Sequence, residues 1–287
     1  MPSDEDIALS EKRMYGDRRE ETRAYVAGRM GVTYVAVSDD QIGRFGLEEQ
    51  CTARDVAGAD GRLVVATDED ILVGGEEGLE PTGFGPAVAV GADPLLAADE
   101  DGRVARSTDG EWETAGTVDE VRSIDGGLVA AADGVYRVDP DGLTPLGRRD
   151  ARDVAAEGPF AATGAGLFRG TEDGWDLEEG GDATVVAAET GGGRAHAVVG
   201  GDLLERPDGG ERSDGSRSSS EQRSDGGEWW LADAPREGVV DVAYDEATFA
   251  VTGDGAVLVD PVTAKDGEPE WRTRSLGLTD VVGIAVP

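Results

Sequence analysis

Five acidic residues stand immediately ahead of short Val-rich runs: Asp55, Glu120, Asp153, Asp241 and Asp280, with Arg54, Arg122 and Arg152 flanking three of them. If these runs are equivalent strands of a ring, the side chains converge at one mouth of a central channel. There they could form a mixed-charge site for a small ligand or for a partner's side chain. The competing role is structural: carboxylates that accept backbone N–H bonds and pair with arginines of the neighbouring unit hold the units in register. The structural role is the expected one. Arg148 and Arg149, just upstream of Arg152, make the most basic spot in the chain, the place where an anion or an acidic partner would bind.

Other chemistries lack their parts. The chain has one cysteine, Cys51, and one histidine, His196, so an internal disulfide or a cysteine metal cluster cannot form. His196 lies in GGGRAHAVVGG and reads as an ordinary strand residue. The GGGR run lacks both the following helix and the Gly-Lys-Ser/Thr of a phosphate loop. The turns Asp99-Glu100-Asp101-Gly102 and Asp139-Pro140-Asp141-Gly142 carry an Asp-x-Asp-Gly core, but without the distant bidentate Glu that calcium requires. Turn formation explains them without an ion. Paired carboxylates for glycoside chemistry are always available among 61 acids, yet no constellation of arginines, tyrosine and acids is recognisable. No catalytic residue, metal or cofactor is expected.

Charge narrows the partners. In 287 residues, 61 Asp and Glu oppose 26 Lys and Arg, a formal charge of −35. A chain this acidic repels nucleic acid and anionic lipid unless a basic patch is set aside for them. Only Lys12 and Lys265 are lysines, and asparagine is absent. This combination is expected of a halophilic protein, because at molar salt the Debye length falls to about 3 Å and carboxylate self-repulsion is screened. The N-terminal residues are acidic without an apolar core, and no run approaches the roughly 20 apolar residues of a membrane span, so a cytoplasmic protein is expected.

The elements that would position these groups repeat. Val/Ala-rich runs centre on Val56, Val88, Val121, Val154, Val186, Val242 and Val282, the first five about 33 residues apart. Each run but the last is followed by a tight hairpin such as LVVATDEDILVG or LVAAADGVYRV, and YVAGRMGVTYV is an N-terminal hairpin with no run before it. A second turn, Asp-Gly or Glu-Gly, then precedes a bulky residue: Leu79, Trp112, Leu143, Trp175, Trp229 with Trp230, or Trp271. All five tryptophans therefore occupy one position of the repeat. Four short strands per unit make a propeller blade. The offset between runs and hairpins is explained if the C-terminal strand pairs with the N-terminal hairpin and closes the ring. The expected fold is a single all-β propeller over residues 1–287 with seven four-stranded blades, six or eight being the neighbouring counts. Residues 1–20 are an N-terminal extension, and the Ser-rich segment 207–228 is a disordered loop insertion in the sixth blade.

Three segments, EKRMYGD (11–17), SDDQIGRFGL (38–47) and CTARDVAG (51–58), resemble a family of haloarchaeal β-propeller proteins of unassigned function. The resemblance implies a fold and no activity. More distantly, ADGRLVVATDEDIL and DGGLVAAADGVYRV look like the propeller repeats of two-component sensor ectodomains, and RSTDGEWE (106–113) looks like an eroded Asp-box. The function expected on fold analogy is that of a non-catalytic interaction platform, monomeric on its own, with a protein partner and with neither nucleic acid nor membrane. The alternatives are a hydrolase, a lyase or a small-ligand sensor with its site at a channel mouth.

Overall fold

The computed structural model describes residues 21–38, 41–75, 78–191, 193–207, 229–234, 236–261 and 271–287. The extension 1–20 and all but the first residue of the 207–228 insertion lie outside the described residues. Within them all regular structure is strand, in seven antiparallel four-stranded sheets. The middle strands are short runs of Val, Ala, Phe and Leu buried on both faces, as in LVAA and FAAT, while outer strands such as Glu111–Thr117 alternate towards solvent.

Blade 1 is composite. Its strands β1 (Thr22–Gly28), β2 (Gly31–Ser38) and β3 (Gln41–Glu49) are completed by β28 (Val281–Ala285), which pairs antiparallel with β1. Blades 2 to 7 follow with four consecutive strands each. Their innermost strands are β4 (Ala53–Ala59), β8 (Ala89–Gly91), β12 (Val121–Asp125), β16 (Ala151–Ala155), β20 (Ala183–Ala188) and β24 (Val239–Tyr244). Their outermost strands are β7 (Gly78–Pro81), β11 (Glu111–Thr117), β15 (Gly142–Gly147), β19 (Gly174–Gly180), β23 (Trp230–Leu231) and β27 (Arg272–Ser275). Seven blades closed by the C-terminal strand is the arrangement expected from the offset of runs and hairpins.

The core is divided rather than central. Seven separate apolar clusters fill the seven seams between adjacent blades, for example Val64, Ile71, Val90 and Ala105 between blades 2 and 3. Each outer strand helps to seal a seam. Cross-strand pairing sets Leu79 opposite Gly74, Trp112 opposite Ser107, Leu143 opposite Val138 and Trp175 opposite Gly170, one equivalent place in each blade. Trp112 packs edge-on against Phe84 at 4.8 Å, and Trp229 against Phe160 at 5.6 Å. Trp175 donates Nε1 to the Leu146 carbonyl of the preceding blade (2.9 Å), and Trp271 lies edge-on to His196 of the preceding blade at 6.0 Å. In blade 1 the same place, opposite Val37, belongs to Ile42, which packs into the seam with blade 7. Phe45 stands at the next pair along, opposite Val35, and is 38% exposed.

Candidate functional site

Six of the seven innermost strands carry a register shift near their first residue, as between Ala53 and Asp55 or Ala151 and Asp153. A bulge presents two successive residues where one would stand and re-aims their side chains. The residues inserted by these bulges are Arg54, Arg122, Arg152, Thr184, Val240 and Val282, and those that follow are Asp55, Ser123, Asp153, Val185, Asp241 and Gly283. The five acids singled out in the sequence thus fall into two sets. Asp55, Asp153 and Asp241 are equivalent. Glu120 and Asp280 stand three positions earlier in the register, in the turns that enter β12 and β28, with left-handed backbones (φ 49° and 56°) matched by Asp150 (φ 56°). The runs at Val121 and Val282 are not in register with Val56 and Val154, which is why those two acids look equivalent in sequence and are not.

Asp55, Asp153 and Asp241 do one job three times. Asp55 accepts the backbone N–H of Val56 (2.8 Å) and that of Val90 in blade 3 (2.9 Å). Asp153 accepts from Val154 (2.9 Å) and from Val186 in blade 6 (2.8 Å), and also from the Ser123 hydroxyl of blade 4 (2.6 Å). Asp241 accepts from Val242 (2.7 Å) and, across the closure, from Ile284 in blade 1 (2.8 Å). Gly283 leaves the room for this, since a Cβ there would stand 2.9 Å from an Asp241 carboxylate oxygen. Burial is the main force raising these carboxyls, to about 7 for Asp55 and about 6 for Asp153, and Asp241 is likewise pushed well up. The N–H bonds pull the other way, while Asp55 and Asp241 are each raised further by repulsion from Asp153.

The arginines are committed as well. Arg122 pairs with Glu120 (3.2 Å) and reaches Asp150 at the entrance of blade 5 (2.7 Å), and Arg152 reaches Asp182 at the entrance of blade 6 (2.8 Å). Hydrogen bonding from Arg122 holds the Asp150 carboxyl below its ordinary range. Arg54 pairs with Glu100 of blade 3. Asp55, Arg122, Arg152, Asp153 and Asp241 line the central channel, a cavity of about 750 Å³ bounded by the innermost strands of all seven blades. Arg54, Glu120, Arg148, Arg149 and Asp280 do not line it. Arg148 instead stacks over Phe168 at 4.6 Å.

His196 is buried in the seam between blades 6 and 7. The Tyr244 hydroxyl donates to the Ala187 carbonyl (3.2 Å) and meets Nδ1 of His196 at 2.8 Å. Burial, aided by Arg194, drops the imidazole to about 3, so it stays neutral. Asp99 accepts from the backbones of Asp101 and Arg103 and from the Arg103 side chain, the ordinary economy of an acidic turn. Cys51 is half-buried, and burial pushes its thiol up. Among the described residues, no three His, Cys, Asp or Glu side chains are grouped to hold a metal ion, and no helix is long and apolar enough to cross a membrane.

A second cavity, of about 400 Å³, lies on blade 1 beside its seam with blade 7. Gly28, Met30, Thr33, Phe45, Gly46, Leu47, Gln50, Leu278 and Val281 are among its walls. Met30 (68%) and Leu47 (59%), with Phe45, are three of the most exposed large apolar side chains of the protein, and all three border this one groove. Arg274 of blade 7 stacks over Phe45 at 5.0 Å and donates to the carbonyls of Ile42 and Gly43. The groove shares its end of the ring with the entrances to the innermost strands, since Arg29 in its hairpin bonds to the Asp280 carbonyl (3.4 Å). Reading the sequence for acids and arginines misses this groove. Its signal is the run Ile42-Gly-Arg-Phe-Gly-Leu47, three large apolar residues with a single charge among them.

The family described as "Beta-prop_HVO_0234:-like, beta propeller" matches residues 8–287. The chain belongs to this family. No curated protein matches the chain. Among solved structures it is similar to a functionally unknown protein from Desulfotomaculum acetoxidans, at 12% identity over 92% of this chain and 98% of that one, with a TM-score of 0.59. It is also similar to a protein from Lactobacillus plantarum (12% identity, 92% and 99% covered, TM-score 0.57) and to the computationally designed Ika8 protein (13%, 92% and 87%, 0.53). At such identities these likenesses speak for the propeller fold alone.

Proposed function

We propose that this β-propeller is a non-catalytic platform for a protein partner in a salt-rich cytoplasm, and that it engages the partner through the groove on blade 1. The supporting observation is the gathering of Met30, Phe45 and Leu47 around one apolar cavity on an otherwise strongly acidic protein. The polar residues of the channel favour the same reading by default, because their carboxylate oxygens and guanidinium groups are already bonded within the ring. One observation favours the second reading, an enzyme or small-ligand sensor: a 750 Å³ channel holding carboxyls raised to about 6 and about 7 has the acid–base range that catalysis uses.

Affinity purification from the native host at high salt separates these readings when run with the wild type and with Leu47→Glu. A stoichiometric partner recovered by the wild type and lost by the variant supports the platform. No partner with either bait, together with turnover abolished by Asp153→Asn, replaces the platform with the enzyme.

A further inference from the structure

The groove on blade 1 has apolar walls and acids beside them. Met30, Phe45 and Leu47 leave large apolar surface uncovered around a cavity of about 400 Å³. Leu47, Gln50 and Thr279 line it, and Glu48, Glu49 and Asp280 stand next to them in the chain, against Arg29 and an Arg274 held over the Phe45 ring. An occupant that suits this groove has a bulky apolar centre with cations on either side.

The chain itself carries such a segment. Residues 11–19, EKRMYGDRR, set Met14 and Tyr15 between the basic pairs Lys12-Arg13 and Arg18-Arg19. Four cations against Glu11 and Asp17 give the stretch a formal charge of +2, in a chain of −35. It belongs to residues 1–20, outside the described residues, and the family match takes it in, since that match begins at residue 8. Its tether starts close by. Glu21, the first described residue, accepts from Arg44 (3.0 Å), and the next residue, Phe45, borders the groove. Along β1, six steps separate Thr22 from Gly28 in the groove wall, about 20 Å at about 3.4 Å per residue. Tyr15 precedes Glu21 by six residues, and six extended residues also span about 20 Å. Met14 and Tyr15 are thus placed in the sequence at the reach that the groove requires.

We propose that residues 11–19 of the same chain occupy the groove, with Met14 and Tyr15 against Met30, Phe45, Leu47 and Leu278, and the two basic pairs towards Glu48, Glu49 and Asp280. Side chains make this contact. It asks nothing of the β3 backbone, whose Ile42 and Gly43 carbonyls already serve Arg274. A tethered segment competes at an effective concentration on the order of millimolar, so a modest fit is enough to fill the site. Resting on the platform reading, the consequence is regulation of that same site: a partner gains the groove only by displacing the chain's own segment.

The test puts a photo-crosslinking residue into the full chain, as Leu47→p-benzoylphenylalanine, at a salt concentration that keeps it folded and a protein concentration low enough to keep links within one chain. Peptide mass spectrometry is expected to find position 47 joined to residues 11–19, with the yield at least tenfold lower when Met14→Asp and Tyr15→Asp are added. Hydrogen exchange needs no change at Leu47: the amides of residues 45–50 are expected to exchange at least tenfold faster in the Met14→Asp, Tyr15→Asp chain than in the wild type. No link to residues 11–19, a yield indifferent to the two substitutions, or unchanged exchange overturns the proposal. The same double variant is expected to bind the native partner at least tenfold more tightly than the wild type does. Equal affinity rules out the regulation while the platform reading survives. If the link forms and neither chain recovers a partner, the platform reading falls and the docked segment stands.

Discussion

The channel and the groove on blade 1 solve opposite problems. In the channel, charged groups converge from sequence-distant strands, and those on the bulged strand entrances are used inside the ring: Asp55, Asp153 and Asp241 bind the backbone of the following blade, and Arg122 and Arg152 bind acids at the next entrance. In the groove, apolar side chains gather and are left partly uncovered. Convergence of polar residues is therefore a poor guide to function in a ring, where geometry brings equivalent residues together whether or not a ligand exists. Unsatisfied surface is the better guide, because a soluble protein has no structural reason to keep it.

The comparison predicts that channel substitutions cost stability and groove substitutions cost binding. The largest effect is expected from removing residues 280–287, which takes away β28, the Asp241–Ile284 bond and the last strand of blade 1. The variant should lose its single cooperative thermal transition, and an unchanged melt followed by circular dichroism would refute closure. Next, Asp153→Ala strands the N–H groups of Val154 and Val186 and the Ser123 hydroxyl, and should cost about 2–4 kcal/mol by chemical denaturation, given about 1–3 kcal/mol for each orphaned buried donor. A loss below 1 kcal/mol would mean that the carboxylates are not staples.

The pH dependence follows from the raised carboxyls. Because the folded values of Asp55 and Asp153, about 7 and about 6, lie above the unfolded one of about 3.9, the folded state binds more protons in between. Their contribution to stability is complete below pH 4 and is lost as pH rises through 7, so the wild type should gain more than Asp55→Asn on going from pH 8 to pH 5. Equal gains in parallel denaturation series would show that Asp55 titrates normally. The smallest stability change is expected for Leu47→Glu, within about 0.5 kcal/mol as for an exposed site, alongside loss of the partner. A large drop in stability would move Leu47 from the binding surface to the core.

Much of the fold was legible because a propeller repeats its physics. The hairpins at Val65 and Ala130, the tryptophans and the offset of the termini each follow from one blade's needs, multiplied. The equivalence of channel residues was less legible, since the bulges at Arg54, Arg122 and Arg152 shift register by one residue and leave no mark in hydrophobic pattern. That is how Glu120 and Asp280 came to be grouped with Asp55. The groove was least legible: Ile42 takes the place that others give to tryptophan, and whether Phe45 and Leu47 beyond it are covered depends on the packing of blade 7.

The pairing of β28 with β1 also sets an order in time. Roughly 250 residues separate Gly28 from its partner Val281, so at about 5–20 residues per second a ribosome makes the partner about 12–50 s later. During that interval β1 presents an unpaired, largely apolar edge to the crowded cell. Blade 1 is thus the last part of the ring to be assembled and, in its groove, the part left least finished.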